Sequence, residues 1–242
     1  MTLIMKVRDL AKMIDHSLLH PTMTEQDLRN GCEIAKKYGV AAVFIKPYAI
    51  PIAVEILQGS DVLVGSVIGF PHGATPVNIK VFETEQAIQA GAVEIDMVVN
   101  VGKVLDEDWD YIRNELASIR EVTKKHRVIL KVIFENDYLN QDRHKIKLSK
   151  LCSEVQVDYI KTSTGYGFVK GDDSKYSYTG ATDHDLRLMR KAADPSVQVK
   201  AAGGVKNLDD LLRVRELGCT RVGATATVEI LEEAKARFGS EY

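Results

Sequence analysis

Short runs rich in valine, isoleucine and alanine alternate along the chain with longer stretches whose apolar positions recur at helical spacing, and the alternation continues from end to end. The pattern predicts strands over KMID (12–15), VAAVFIK (40–46), VLVGSVIGF (62–70), VEIDMVV (93–99), VILKVIF (128–134), DYIKTS (158–163), VQVKAAG (197–203) and TRVGAT (220–225). Helices are predicted over 24–39, 76–92, 108–126, 141–155, 182–193 and 207–218. Thr24, Thr182 and Asn207 each stand as an N-cap with an acidic residue three positions later, and Gly39 and Gly218 stand just past helix ends. No composition shift or linker divides the 242 residues, so 1–242 reads as a single domain. Eight βα units in that length predict an α/β fold, a (β/α)8 TIM barrel, over the competing doubly wound sheet, which would leave the last units unplaced.

Alternate residues of a strand face opposite ways, so parity sorts each predicted strand into a helix-facing and an interior set. In VEIDMVVN the apolar Ile95, Met97 and Val99 take the outer face and Glu94, Asp96, Val98 and Asn100 the inner. In VILKVIFE the inner set is Ile129, Lys131, Ile133 and Glu135; in DYIKTS it includes Tyr159, Lys161 and Ser163; in VQVKAAG it includes Gln198 and Lys200. Four ionisable groups, Asp96, Lys131, Lys161 and Lys200, therefore converge from four consecutive strands.

A buried ammonium costs several kcal/mol unless it is paired, deprotonated or used chemically. Neighbouring strands lie about 4.8 Å apart, so Lys161 and Lys200 are neighbours if they sit at similar depth. A second cation and partial desolvation lower a lysine pKa toward the range in which the amine attacks a carbonyl. Asp96 and Lys131 supply a charge partner and a proton relay in that reading. The alternative is a structural network of mutually neutralising charges.

Charge narrows the partners. A formal net charge of −2, with 45% hydrophobic and 27% charged residues, gives no footprint for nucleic acid or an anionic membrane surface and leaves a small molecule as the expected partner. Cys32, Cys152 and Cys219 lie far apart without a C-x-x-C pair, which predicts neither disulfides nor zinc and suits a reducing cytoplasm. The first twenty residues lack a signal-peptide pattern, and no apolar run approaches a membrane span. Gly165, Gly203, Gly204 and Gly223 follow or end the last three predicted strands beside Thr164 and Thr225. Such loops hold a phosphate through backbone N–H groups in many barrel enzymes, or simply supply the tight turns that need glycine.

The segments EIDMVVNVG, LKVI, YIKTSTGY and VKAAGG, in that order, with MIDHSLL near the start and RVGAT near the end, resemble the deoxyribose-phosphate aldolase family over nearly the whole chain. The resemblance implies a (β/α)8 barrel that reversibly cleaves 2-deoxy-D-ribose 5-phosphate to acetaldehyde and D-glyceraldehyde 3-phosphate, without metal or organic cofactor. It implies Lys161 as the Schiff-base lysine, Lys200 as the residue adjusting its pKa and Asp96 in proton transfer. It also implies Asp15 lining the pocket near the substrate hydroxyls, Lys131 as an orienting charge, and a homo-oligomer, a dimer. His16, of opposite parity to Asp15, reads as a packing or hydrogen-bonding residue.

Two departures, and one further match, bear on specificity. YGFVKGDDSKYSYT separates Gly165 from Gly180, where many family members pass almost directly from one motif to the next. This loop, 166–179, lies on the expected catalytic face; its Lys170 and Lys175 read as solvated lysines or as phosphate contacts. Ala224, Thr225 and Ala226 supply one hydroxyl where the family often has two consecutive hydroxyl residues, and the terminal Tyr242 matches members whose C-terminal tyrosine reaches the site. The competing functions are a Schiff-base aldolase for another phosphorylated sugar and a non-catalytic sugar-phosphate sensor. A metal-dependent epimerase is disfavoured because His72 and His126 fall in a loop and near a helix end, leaving no convergent histidine set.

Overall fold

Every strand of the main sheet is parallel to its neighbours and the last pairs with the first, so the sheet closes without an edge. The computed structural model describes residues 6–171 and 173–239. In chain order the elements are α1 (Val7–Ala11), β1 (Ile14–Leu18), α2 (Glu25–Tyr38), β2 (Ala42–Ile45), α3 (Ile50–Leu57), β3 (Leu63–Ile68), α4 (Val77–Gln89), β4 (Glu94–Val98), α5 (Val101–Leu105) and α6 (Trp109–His126). They continue with β5 (Ile129–Ile133), α7 (Asp142–Val155), β6 (Tyr159–Lys161), β7 (Val169–Lys170), β8 (Tyr176–Ser177), α8 (Asp183–Ala192), β9 (Gln198–Ala202), α9 (Leu208–Glu216), β10 (Arg221–Ala224) and α10 (Thr227–Phe238). The barrel order is β1-β10-β9-β6-β5-β4-β3-β2, and β7 and β8 form a separate antiparallel hairpin. The chain is thus a (β/α)8 barrel.

The parity of the sequence holds in three dimensions. Ile95, Met97, Leu130, Val132, Ile160 and Val199 are fully buried in the layer between barrel and helices, with Ile112, Leu116, Leu148 and Leu186 from α6, α7 and α8. Each such side chain contributes about 1.5–3 kcal/mol of transfer free energy. Inside the barrel a smaller apolar cluster of Leu19, Ala42, Phe44 and Val67 fills one side, leaving the other to the charged residues. Gly65 on β3 makes room for the Phe44 ring, since a Cβ there would lie 2.5 Å from Cζ of that ring.

Several boundaries differ from the sequence reading. The first strand starts at Ile14 rather than Lys12, because Lys12 caps the short helix α1, and it runs on to Leu18. The sixth is Tyr159–Lys161 rather than 158–163; past it Thr162 turns its hydroxyl to Ala202, accepting from that amide at 3.0 Å and donating to its carbonyl at 2.8 Å. Helices α1, α3, α5 and α10 were not expected; in IPIAVEIL the near-continuous apolar run hides the helical period. Thr24, Thr182 and Asn207 cap as expected, Thr24 and Asp27 in a reciprocal capping box. Tyr242 lies outside the described residues.

Candidate active site

Strand register sets the depth of each inward side chain. Lys161 on β6 pairs with Lys200 on β9, Lys200 with Arg221 on β10, and Asp96 on β4 with Lys131 on β5. Lys161 and Lys200 therefore enter the barrel at one level. Both donate to the same Asp96 oxygen, Oδ2, at 2.8 Å. Lys200 also meets Asp15 Oδ2 at 2.5 Å, and Lys131 lies 3.4 Å from Asp15 and from Asp96 while hydrogen-bonding Glu94. Arg221 closes the circuit, 2.5 Å from Asp15 Oδ1 and 3.1 Å from Glu94 Oε1. The Phe44 ring lies beneath the cations, its centroid 3.8 Å from Lys200 Nζ and 4.2 Å from Lys131 Nζ, with the negative ring face toward them.

The inward set is larger than the four groups legible from parity, and its balance is different. Three carboxylates, Asp15, Glu94 and Asp96, face four basic side chains, Lys131, Lys161, Lys200 and Arg221. The network is neutral when one basic group gives up its proton. Burial drives the Lys161 pKa down, Asp96 opposes this, and the charge on Lys200 adds to the depression; the result is about 8. Lys131 moves the other way, because Asp15, Asp96 and Glu94 outweigh its burial. For Asp96, burial alone would raise the pKa, but Lys161, Lys200 and Lys131 hold it far below the usual carboxylate range. Asp15 is likewise held low against its burial, by Lys131, Lys200 and Arg221. Lys161 is the member whose proton leaves near neutral pH.

A cavity of about 440 Å³ opens over the carboxyl ends of β6, β9 and β10. Of the residues anticipated from sequence, Lys161, Thr164, Gly165, Gly203, Gly204, Gly223 and Thr225 line it. Asp15 and Lys131 do not. Both are completely buried in the charged floor beneath, which corrects the placement of Asp15 at the pocket wall: its side chain is committed to Lys200 and Arg221. Lys161, in contrast, ends at the cavity and keeps 3% exposure. A Cβ at Gly223 would lie 3.3 Å from Ala202 Cβ and in ordinary contact, 3.5 Å, with Lys200 Cε.

Other cavity residues were not found in the sequence. Ser17, His20 and Lys206 line it from the ends of β1 and β9, and Tyr166, Phe168 and Tyr178 line it from the loop 166–179. Lys170 and Lys175 do not line it; both are exposed, and Lys175 pairs with Asp173 at 3.5 Å. An adjoining apolar hollow of about 330 Å³ lies across Leu19 and Tyr166, between Val67, Phe70 and Tyr48. His16 faces outward from β1, its Nδ1 2.7 Å from the Thr227 hydroxyl, as a hydrogen-bonding residue. Among the described residues Asp142, His184 and Asp185 come close enough to share a cation, but the Lys145 ammonium already stands 3.3 Å from Asp142 and 2.5 Å from Asp185.

A closed parallel barrel whose carboxyl end presents a deprotonatable lysine beside a second lysine defines the class, a (β/α)8 enzyme equipped for amine chemistry on a carbonyl compound. A family model described as DeoC/LacD family aldolase matches residues 10–225. The chain belongs to that aldolase family. It is 50% identical over 231 residues to the deoxyribose-phosphate aldolase of Rhodopirellula baltica, covering 96% of this chain and 91% of that one. The deoxyribose-phosphate aldolase of Thermococcus kodakarensis is 40% identical over 232 residues, 95% of this chain and 99% of the relative. Among solved structures, a tetrameric deoxyribose phosphate aldolase from Aeropyrum pernix superposes with a TM-score of 0.84 at 28% identity, covering 96% and 93% of the two chains.

Proposed function

We propose that the chain reversibly cleaves 2-deoxy-D-ribose 5-phosphate to acetaldehyde and D-glyceraldehyde 3-phosphate through a Schiff base on Lys161. One observation carries the assignment of the nucleophile: of the charged network, Lys161 alone ends at the cavity, and it is the lysine with the depressed proton affinity. At pH 7 roughly a tenth of it is free amine.

The neutral amine attacks C1 of the open-chain sugar, and loss of water leaves a protonated imine. Asp96, fixed as a carboxylate, is the counter-ion. Transfer of the C3 hydroxyl proton to a water in the cavity sends the C2–C3 bond pair into the imine, giving D-glyceraldehyde 3-phosphate and an enamine. The enamine takes a proton at C2, and water hydrolyses the resulting imine to acetaldehyde and free amine. Lys200 holds the exchangeable proton and Asp96 passes it on; the low proton affinity of Asp96 keeps any stay there brief. Thr225 and the glycine loops around Gly165, Gly203, Gly204 and Gly223 would hold the phosphate, whereas Thr164, whose N–H and hydroxyl both donate to Glu135, fixes the loop beside it. The buried Asp15 and Lys131 act from beneath by orienting Lys200 and Asp96.

Borohydride reduction in the presence of acetaldehyde, followed by peptide mass mapping, tests the reading. A reduced two-carbon adduct on Lys161, absent in Lys161→Ala, is the expected result; an unlabelled Lys161 in folded protein would overturn it. Tyr166, Phe168 and Tyr178 at the cavity favour a second reading, an aldolase for another phosphorylated sugar. Retro-aldol assays over a panel of sugar phosphates separate the two.

A homodimer in the cytoplasm completes the proposal. Exposed Tyr48, Val54, Ile79 and Phe82 on consecutive elements before and within α3 and α4 support self-association, and sedimentation velocity measures it. The three cysteines are free and buried, as suits a reducing compartment. No described helix is long and apolar enough to cross a membrane.

A further inference from the structure

The loop between β6 and α8 reaches back into the cavity, and the proposed chemistry leaves its deepest polar atom without a role. That atom is the Tyr178 hydroxyl. It is inaccessible to solvent and has no hydrogen-bond partner among the described residues; the Ser163 hydroxyl, also without one there, faces it without meeting hydrogen-bond geometry. An orphaned buried hydroxyl is costly to keep, and a bound ligand that accepts from it removes that cost.

The loop is built to hold that phenol in place. Thr164, at its root, donates from both N–H and hydroxyl to the Glu135 carboxylate. Glu135 itself sits in the left-handed region at φ 58°, a conformation unfavourable to a non-glycine residue. At the other root Asp137 accepts from the amides of Thr179 at 2.7 Å and Gly180 at 3.0 Å. The β7–β8 hairpin spans the stretch between, and Phe168 packs on the Tyr178 ring with centroids 5.9 Å apart. Gly203, at φ 86°, accepts the phenol so closely that a Cβ there would lie 1.8 Å from Tyr178 Oη.

The hydroxyl thus sits among the glycine loops, over Gly203 and 4.0 Å from where a Gly165 Cβ would be, rather than at the Lys161 amine, whose partners are Asp96 and the charged floor. The N–H groups of Gly165 and Gly204 donate to no acceptor among the described residues, and Lys206 lines the same end of the cavity. Burial, reinforced by Glu135 and Asp137, raises the phenol pKa, so Tyr178 remains a proton-bearing donor. Unused donors converging at one place suit an anion.

We propose that Tyr178 is a substrate-binding residue that donates its phenolic hydrogen bond to the phosphate of the sugar phosphate, beside the amides of Gly165 and Gly204, and so sets the preference for a phosphorylated substrate. The inference rests on the substrate reading above. Its test is Tyr178→Phe, assayed on 2-deoxyribose 5-phosphate and on unphosphorylated 2-deoxyribose, with calorimetric titration of inorganic phosphate into both proteins.

The expected result is a KM for the phosphate ester raised about 10-fold to 100-fold with kcat within a factor of two. Phosphate binding should weaken to a similar extent and kinetics on the unphosphorylated sugar should stay unchanged. A fall in kcat alike on both sugars would overturn the proposal by placing the phenol at the reacting carbon, and unchanged KM and phosphate binding would overturn it outright. If the wild-type protein cleaves neither sugar, the substrate reading fails by itself. The phosphate titration of wild-type protein and variant then still decides the role of Tyr178, and matched thermal melts establish that the variant is folded.

Discussion

Lys161 and Lys200 are register partners on adjacent parallel strands, and their two nitrogens converge on a single oxygen of Asp96, 2.8 Å from each. Strand pairing fixes their depth and the shared carboxylate fixes their tips, so neither lysine can retreat from the other. Repulsion between them is therefore a permanent property of the fold. It acts on the member that ends at the cavity, Lys161, which can lose its proton there.

Replacing Lys200 by Met removes that repulsion. The Lys161 pKa should rise from about 8 toward the ordinary lysine value. The acidic limb of the kcat/KM profile should then move to higher pH, with kcat at pH 7 reduced about 100-fold or more. A pH-rate profile whose limb stays in place would assign Lys200 to proton transfer alone.

For Asp96→Asn the two effects separate. The substitution deletes the charge that favours the Lys161 ammonium, so the acidic limb should move to lower pH while kcat falls through loss of the counter-ion. Lys131 keeps Glu94 and Asp15, and Lys161 can shed its proton, so the barrel should still fold, but about 3 kcal/mol less stable at pH 7. Thermal melts together with pH profiles check both parts; an unchanged melting temperature contradicts the shared-carboxylate account of the floor.

Gly65→Ala probes the packing beneath the cations. The added methyl collides with the Phe44 ring, which is held between β3 and the ammonium groups of Lys131 and Lys200. A loss of about 1–3 kcal/mol is expected, with a larger loss of activity than of stability, because displacement of the ring disturbs both lysines. Denaturant unfolding and a Lys161 trapping assay on the same protein measure the two.

His16 gives a prediction in pH. Burial, opposed by Glu229, lowers its pKa from 6.5 to about 4 in the folded state. The neutral imidazole contributes stability that is fully present above pH 6.5 and is lost as pH falls through about 4, some 3 kcal/mol in all. His16→Gln should flatten that part of the curve of melting temperature against pH relative to wild type; parallel curves would remove His16 from the acid response.

What was legible in the sequence followed from period. Lys161, Lys200 and Asp96 stood out because each interrupts an apolar strand at an inward position, and two-residue parity carries no ambiguity once the flanking residues are outward. Glu94 had the same parity, yet a glutamate at a strand start reads equally well as exposed. Arg221 was missed because RVGA offers too few apolar positions to fix a phase; the balance of the floor shifted chiefly because Asp15 and Glu94 join Asp96 there. Tyr178 belongs to a segment whose place depends on Glu135 and Asp137, some forty residues earlier, and no local pattern encodes that.

The staple between Glu135, Asp137 and the loop it holds has a consequence for how such an enzyme diversifies. The proton affinity of the lysine is set mainly by the floor, on β1, β4, β5, β9 and β10, whereas the hairpin hangs from the segment just past β5, where Glu135 also shares a field with Lys161. Two tuning systems are therefore mounted on one barrel with separate fixings. On the proposal for Tyr178, a graft that carries residues 135–138 together with 164–180 would move the preference for a phosphate between barrels as one cassette, and with it the Glu135 charge that Lys161 feels.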